Sequence, residues 1–118
     1  MFLKTTYKDD PIFANSKVVY TVSNNYFENK LKKDFTTQIQ ISDSITKKHV
    51  EHFKDADNNS LNIGGSEFAD ALMIEEGLNE TMTAYVKKAK GKPMLRLKNA
   101  ENESLPLVSD FYKNILAN

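Results

Sequence analysis

Short apolar runs recur along the chain and are separated by longer, mostly polar segments. Residues 17–22, 71–75 and 93–97 read KVVYTV, ALMIE and PMLRL. The first run is rich in β-branched residues and is apolar almost throughout, a pattern typical of strands covered on both faces of a parallel sheet. The sequence therefore predicts three strands.

Helical spacing is clearest between the second and third runs, where Met82, Tyr85, Val86 and Ala89 fall on one face and Asn79 is a suitable N-cap. Weaker amphipathic patterns precede and follow this segment. They predict further helices over residues 28–35, 45–53 with Asp43 or Ser44 as the cap, 60–69, and from Leu105 to Leu116. Gly64 and Gly65 inside the third of these indicate either an irregular helix or a close approach of another backbone.

The predicted order from residue 17 is strand, helices, strand, helix, strand, helix. This alternation predicts an α/β fold: a Rossmann-like, three-layer parallel sheet with helices on both faces. Three strands are few for such a sheet. We therefore expect residues 1–118 to form either a single α/β domain or the carboxyl half of a larger Rossmann-like domain. A half-domain would expose a sheet edge and an apolar helix face, so self-association is expected.

Charge and composition narrow the classes of partner. Lysine plus arginine and aspartate plus glutamate number 16 each, so no excess charge attracts nucleic acid or an anionic membrane. The absence of cysteine excludes disulfides and fits a reducing compartment. Apolar runs are far shorter than the roughly 20 residues of a spanning helix, and the first residues do not resemble a signal peptide. These features predict a cytoplasmic protein that binds neither nucleic acid nor membrane.

Two groups of residues suggest chemistry but fit ordinary structure better. His49 and His52 lie one helical turn apart and could form half of a metal site, yet the chain has no further histidine or cysteine to complete it. The stretch LNIGGS, residues 61–66, lacks the spacing of known phosphate-binding loops, so packing explains its glycines better. We therefore predict no metal, no cofactor and no catalytic residue in this chain.

The end of the first strand is the best candidate for binding. The run KVVYTV is followed by Ser23, Asn24, Asn25 and Tyr26. Ligands of open parallel sheets gather outside the carboxyl ends of the strands, so these four residues are the predicted substrate-binding residues. Asparagine is also common in turns and helix caps, and a simple turn is the alternative interpretation.

Three stretches resemble the bacterial glycogen synthase and starch synthase family, glycosyltransferase family 5. KVVYTVSNNYF is similar to the family's "KVVxTIHN" strand, and residues 60–74, SLNIGGSEFADALMI, are similar to its "L-K-x-G" helix that leads into "A-D" and a strand. The preceding LKTTYKDDPIFANSK looks like the "YKxDPIF" lead of the Bacteroidetes branch. Together the similar stretches lie within residues 1–90.

The resemblance implies part of the amino-terminal domain of a double-Rossmann (GT-B) glycosyltransferase. Such a hexosyltransferase moves glucose from ADP-glucose to an α-1,4-glucan in glycogen biosynthesis. Ser23 stands where the family has a histidine, Asn24 matches its asparagine, and Asn62 stands where it has a lysine. The family's "K-T-G-G" donor loop and nucleotide-binding domain have no counterpart here, so the chain alone is not expected to be active.

Two other functions remain open at this point. One is a non-catalytic α/β module that binds glucan or a protein. The other is a flavodoxin-like or receiver-like regulatory domain, which is disfavoured because a receiver needs an acid pair after its first strand, where this chain has asparagines.

Overall fold

The computed structural model, which describes residues 1–24, 26–98 and 104–118, contains a three-stranded parallel sheet. Its strands are β1 (Val19–Val22), β2 (Ala71–Ile74) and β3 (Met94–Arg96), in the spatial order β1-β2-β3. Val22 of β1 is paired with Ile74 of β2, which is paired in turn with Arg96 of β3. This register brings the carboxyl ends of all three strands to one edge.

Five α-helices accompany the strands in the described residues, together with 3₁₀ turns at Phe2–Lys4 and Glu51–Phe53. The helices are α1 (Phe35–Gln38), α2 (Lys47–Val50), α3 (Asn58–Glu67), α4 (Glu80–Lys88) and α5 (Ser104–Ala117). The chain forms two compact units. The helical unit consists of Met1–Ser16 and Asn25–Phe68, and the sheet unit consists of Lys17–Asn24 and Ala69–Asn118.

The core of the sheet unit is built from its strands and two helices. The Asn79 side chain caps α4 by accepting a hydrogen bond from the Met82 amide at 2.9 Å, which satisfies one of the free N–H groups of the first turn. The buried apolar residues of this unit are Val22, Ala69, Ala71, Leu72, Ile74, Met82, Val86 and Ile115.

The helical unit is organised around α3. Asp57 caps this helix, accepting a hydrogen bond from the Ser60 amide at 2.8 Å, while the Ser60 hydroxyl accepts one from the Asp57 amide. The helix continues without interruption through Gly64, against which the ring of Phe53 is packed. Gly64 therefore permits a close approach, but the group that approaches it is an aromatic side chain rather than another backbone.

The structure corrects two helix predictions in this unit. Residues 28–34 are not helical, and α1 begins only at Phe35. The Leu31 amide donates to the Ala56 carbonyl at 2.8 Å, so a tertiary hydrogen bond holds this segment. The predicted helix over 45–53 divides into α2 and the 3₁₀ turn Glu51–Phe53, and its N-cap is Thr46 rather than Asp43 or Ser44.

The predicted α/β class and the parallel sheet are confirmed. All three strands lie where they were predicted, shorter by one or two residues, and α4 and α5 occupy segments predicted to be helical. On the predicted apolar face of α5, however, Leu105 and Leu116 are each 72% exposed. Among the described residues the strand order β1-β2-β3 contains no reversal of direction, so the sheet that they form has no internal switch point of the kind at which doubly wound folds bind ligands. No helix among the described residues is long and apolar enough to cross a membrane.

Candidate functional site at the carboxyl edge of the sheet

The ends of β1 and β2 are joined through the carboxylate of Glu75. Its Oε2 atom accepts hydrogen bonds from the Ser23 hydroxyl and from the Asn24 backbone amide, both at 3.0 Å. The Glu75 amide in turn donates to the Val22 carbonyl at 3.1 Å, which extends the ladder one step beyond the strands. Hydrogen bonds to a carboxylate are stronger than those between neutral groups, so this arrangement fixes the first residues after β1.

The Asn24 side chain adds a second link between the same segments. Its Nδ2 donates to the Glu76 carbonyl at 2.6 Å and lies beside Gly77, where an added Cβ would stand 3.2 Å from it. Gly77 has φ of +77°, in the left-handed region that residues with a side chain rarely adopt. The turn after β2 therefore takes its shape from a glycine and from the asparagine that follows β1.

The four predicted binding residues are distributed unequally. Ser23 and Asn24 are at the carboxyl edge of the sheet and are hydrogen-bonded to Glu75 and Glu76. Tyr26 belongs to the helical unit and is half exposed, and Asn25 lies outside the described residues. The hydrogen bonds of Ser23 and Asn24 link the ends of β1 and β2, and the part of these residues in ligand binding stays a prediction.

A crevice of about 390 Å³ opens at the same edge, between the ends of β2 and β3 and one side of α4. We call it the β2–β3 crevice. Its volume is within the range of roughly 300 to 1,000 Å³ that is typical of small-molecule sites. Its lining consists of the end of β2 with the following turn, three residues of α4 and the end of β3: Ile74, Glu75, Glu76, Gly77, Leu78, Thr83, Val86, Lys87, Arg96, Leu97 and Lys98.

The crevice combines an apolar base with charged walls. Ile74 and Val86 are almost completely buried, and Leu78 and Leu97 are partly exposed and contribute aliphatic surface. The side chains of Glu76, Lys87, Arg96 and Lys98 are exposed. The side chains of Lys87, Arg96 and Lys98 form no ion pair or hydrogen bond with another residue in the described part of the chain. This grouping could not be predicted from the sequence, because its members belong to three separate elements that only the folded chain brings together.

The histidines have a structural role in the helical unit. The Nδ1 atom of His49 accepts a hydrogen bond from the Thr46 amide at 3.1 Å and so completes the cap of α2. The rings of His49 and His52 both contact the ring of Phe68 edge-on. Within residues 1–24, 26–98 and 104–118, no three His, Cys, Asp or Glu side chains are grouped so that they could hold a metal ion.

Comparison with known proteins adds no relative to this description. No protein-family model, curated protein or solved structure matches the chain.

Proposed function

We propose that this chain is the acceptor-side part of a glucosyltransferase similar to glycogen and starch synthases, and that the carboxyl edge of its sheet faces an α-1,4-glucan. The observation that carries the proposal is the β2–β3 crevice, which opens beside the polar ends of β1 and β2. The sequence similarity at KVVYTVSNNYF falls on this same edge. The finer fold assignment, to part of a GT-B amino-terminal domain, belongs to the proposal.

The chemistry of the crevice suits a sugar. Carboxylates and cationic side chains are good hydrogen-bond partners for hydroxyl groups, and the crevice offers Glu76, Lys87 and Arg96 beside the hydroxyl of Thr83. Aliphatic surface from the partly exposed Leu78 and Leu97 can pack against the apolar face of a pyranose ring. The lining of the β2–β3 crevice is thus partly polar and partly apolar, as is usual for small-ligand sites.

Titration with a maltooligosaccharide, followed by amide chemical shifts, tests this proposal. Shift changes are expected at Ser23, Asn24 and Glu75–Leu78 at millimolar sugar, with little response to a β-1,4-linked oligosaccharide of equal length. Glu76→Ala should weaken the response, whereas Glu80→Ala, which removes an exposed acid outside the crevice, should not. Absence of any shift at millimolar maltooligosaccharide would refute glucan binding by this chain.

A second candidate is a non-catalytic α/β module that binds glucan or a protein. The observation in its favour concerns the Glu75 carboxylate, which accepts two hydrogen bonds from the residues after β1. This acid therefore links the ends of β1 and β2, which is a structural role. Transfer of glucose from ADP-glucose distinguishes the two candidates when the chain is assayed together with the remainder of its parent protein. Transfer that depends on Glu76 or Thr83 supports the transferase, and binding without transfer supports the module.

A further inference from the structure

Three cationic residues line the β2–β3 crevice: Lys87 of α4, and Arg96 and Lys98 at the end of β3. We call these three residues the cationic wall. Arg96 ends β3, and Lys98 follows two residues later, so that both side chains leave the extended backbone on the same side. On α4, Thr83, Val86 and Lys87 share one helical face because they are three or four residues apart. Three cationic residues therefore line one small space.

The backbone around this wall is fixed. The Leu97 amide, between Arg96 and Lys98, donates to the Ile74 carbonyl at 2.8 Å, and Ile74 is almost completely buried. Val86, adjacent to Lys87, is buried as well. The cations are thus attached to a rigid base, which lowers the entropic cost of presenting them together to a ligand.

The charges of the wall are not neutralised within the described protein. Neither Lys87, Arg96 nor Lys98 pairs with an acid of the described residues, although two glutamates line the same crevice. The Oε2 atom of Glu75 is directed to Ser23 and to the Asn24 amide instead. An anion in the crevice would be attracted by these positive charges, which have no partner among the described residues.

We propose that the β2–β3 crevice binds the phosphate group of a small phosphorylated molecule. A phosphate monoester carries nearly two negative charges at neutral pH. It therefore suits a wall of three cations better than a ligand with a single carboxylate, which carries only one negative charge. Arginine can bind two phosphate oxygens at once, and lysine binds phosphate as a point charge. The crevice, at about 390 Å³, has room for more than the anion, so the rest of the ligand packs against Leu78 and Leu97.

This inference can be tested separately from glucan binding, because a maltooligosaccharide carries no charge and would use Lys87 and Arg96 only as hydrogen-bond donors, whereas a phosphate also needs their positive charge. The two proposals can therefore fail separately. A positive glucan titration with no response to phosphate would refute only the inference, and the reverse result would refute only the proposed function.

Titration calorimetry and amide shifts with glucose 1-phosphate, inorganic phosphate and glucose test the inference at constant ionic strength. Glucose 1-phosphate should bind and perturb Ile74–Leu78 and Arg96–Lys98, whereas glucose at the same concentration should bind much more weakly. Tighter binding of the ester than of inorganic phosphate would identify a phosphorylated metabolite as the ligand, and equal binding would identify free phosphate. Both results support a phosphate site.

Matched substitutions assign the site. Arg96→Gln should weaken glucose 1-phosphate binding by about tenfold or more, the effect expected when a charge-assisted hydrogen bond is lost. Lys87→Gln should weaken it several-fold, whereas Lys88→Gln, at the next position of α4 and outside the crevice, should leave it unchanged. All three positions are exposed, so the variants should keep the fold, which the unperturbed amide spectrum would verify. Equal weakening by Lys87→Gln and Lys88→Gln, or no binding of either phosphate, would overturn the inference.

Discussion

The aromatic ring of Phe53 fills the space in which a side chain on Gly64 of α3 would stand. Replacement of an exposed glycine in a helix by alanine usually stabilises the protein by about 1 kcal/mol. Here the added methyl group would meet the ring, and overpacking of a core contact costs about 1 to 3 kcal/mol. We therefore expect Gly64→Ala to lower the free energy of unfolding, as measured by urea denaturation.

The partner of Gly64 can be tested by a double-mutant cycle. In a Phe53→Leu background the ring is absent, so Gly64→Ala should cost clearly less than in the native chain and could become stabilising. If the cost of Gly64→Ala is the same in both backgrounds, the contact with Phe53 is not its cause.

The carboxylate of Glu75 should matter for stability, and that of its neighbour should not. Glu75→Ala removes an acceptor of the Ser23 hydroxyl and of the Asn24 amide, which are partly buried and exposed, and we expect a loss of about 0.5 to 1.5 kcal/mol. Glu76 takes part in this link only through its backbone carbonyl, so Glu76→Ala should change stability by less than about 0.5 kcal/mol. Thermal unfolding of the two variants provides the comparison, and equal effects would contradict the assigned role of Glu75.

Gly77 is expected to be intolerant of side chains for two reasons that can be separated. Its φ of +77° costs an alanine roughly 1 to 2 kcal/mol, and the new Cβ would also lie close to Asn24. Gly77→Ala should thus be destabilising, and less so in an Asn24→Ala background, where only the backbone cost is left. Urea denaturation measures the cost of Gly77→Ala in each background. If this cost is the same in the native and the Asn24→Ala backgrounds, Asn24 makes no contribution to it.

The N-cap of α4 should be worth a measurable part of the stability of the sheet unit. Asn79→Ala removes the acceptor of the Met82 amide and should cost about 0.5 to 2 kcal/mol. Asn79→Asp keeps an oxygen at the same position, so it should preserve most of the stability. A similar loss in both variants, measured by circular dichroism during heating, would argue against capping as the function of this side chain.

Stability should also decline at high pH through Tyr20. Burial raises the pKa of the Tyr20 phenol on β1 above its usual value near 10, because the phenolate would lose hydration. The folded state therefore holds the proton more tightly than the unfolded state does, and this contribution is complete below about pH 10 and disappears as the pH rises through the folded pKa. Tyr20→Phe should flatten the fall in unfolding free energy above pH 10, whereas Tyr112→Phe, at a more exposed position, should not.

The sequence was informative where local preferences and the final structure agree. The β-branched run before Ser23 gave β1, and Asn79 followed by regularly spaced apolar residues gave α4, because capping and periodicity act within a few residues. The same reasoning failed over 28–35, where the Leu31 amide is held by the Ala56 carbonyl from far along the chain. Short charged segments of that kind take their conformation from tertiary contacts.

The candidate site was located from the sequence only in part. A polar end of β1 could be predicted, since parallel sheets present their carboxyl ends to ligands. That Glu75 would accept the hydrogen bonds of Ser23 and Asn24, and that Arg96 would join Lys87 at the β2–β3 crevice, depend on the pairing register. Register is a property of the assembled sheet and is not visible in one strand alone.

The central place of β2 has a consequence for how the protein exchanges its amide hydrogens with solvent. The Leu72 amide donates to the Pro93 carbonyl at 2.9 Å on one side, while on the other side the Glu75 amide donates to Val22. Fraying of β1 or β3 would leave β2 paired with its remaining neighbour. In deuterium exchange, the amides of β2 should therefore be the last of the sheet to be labelled, and their rate should report opening of the sheet as a whole.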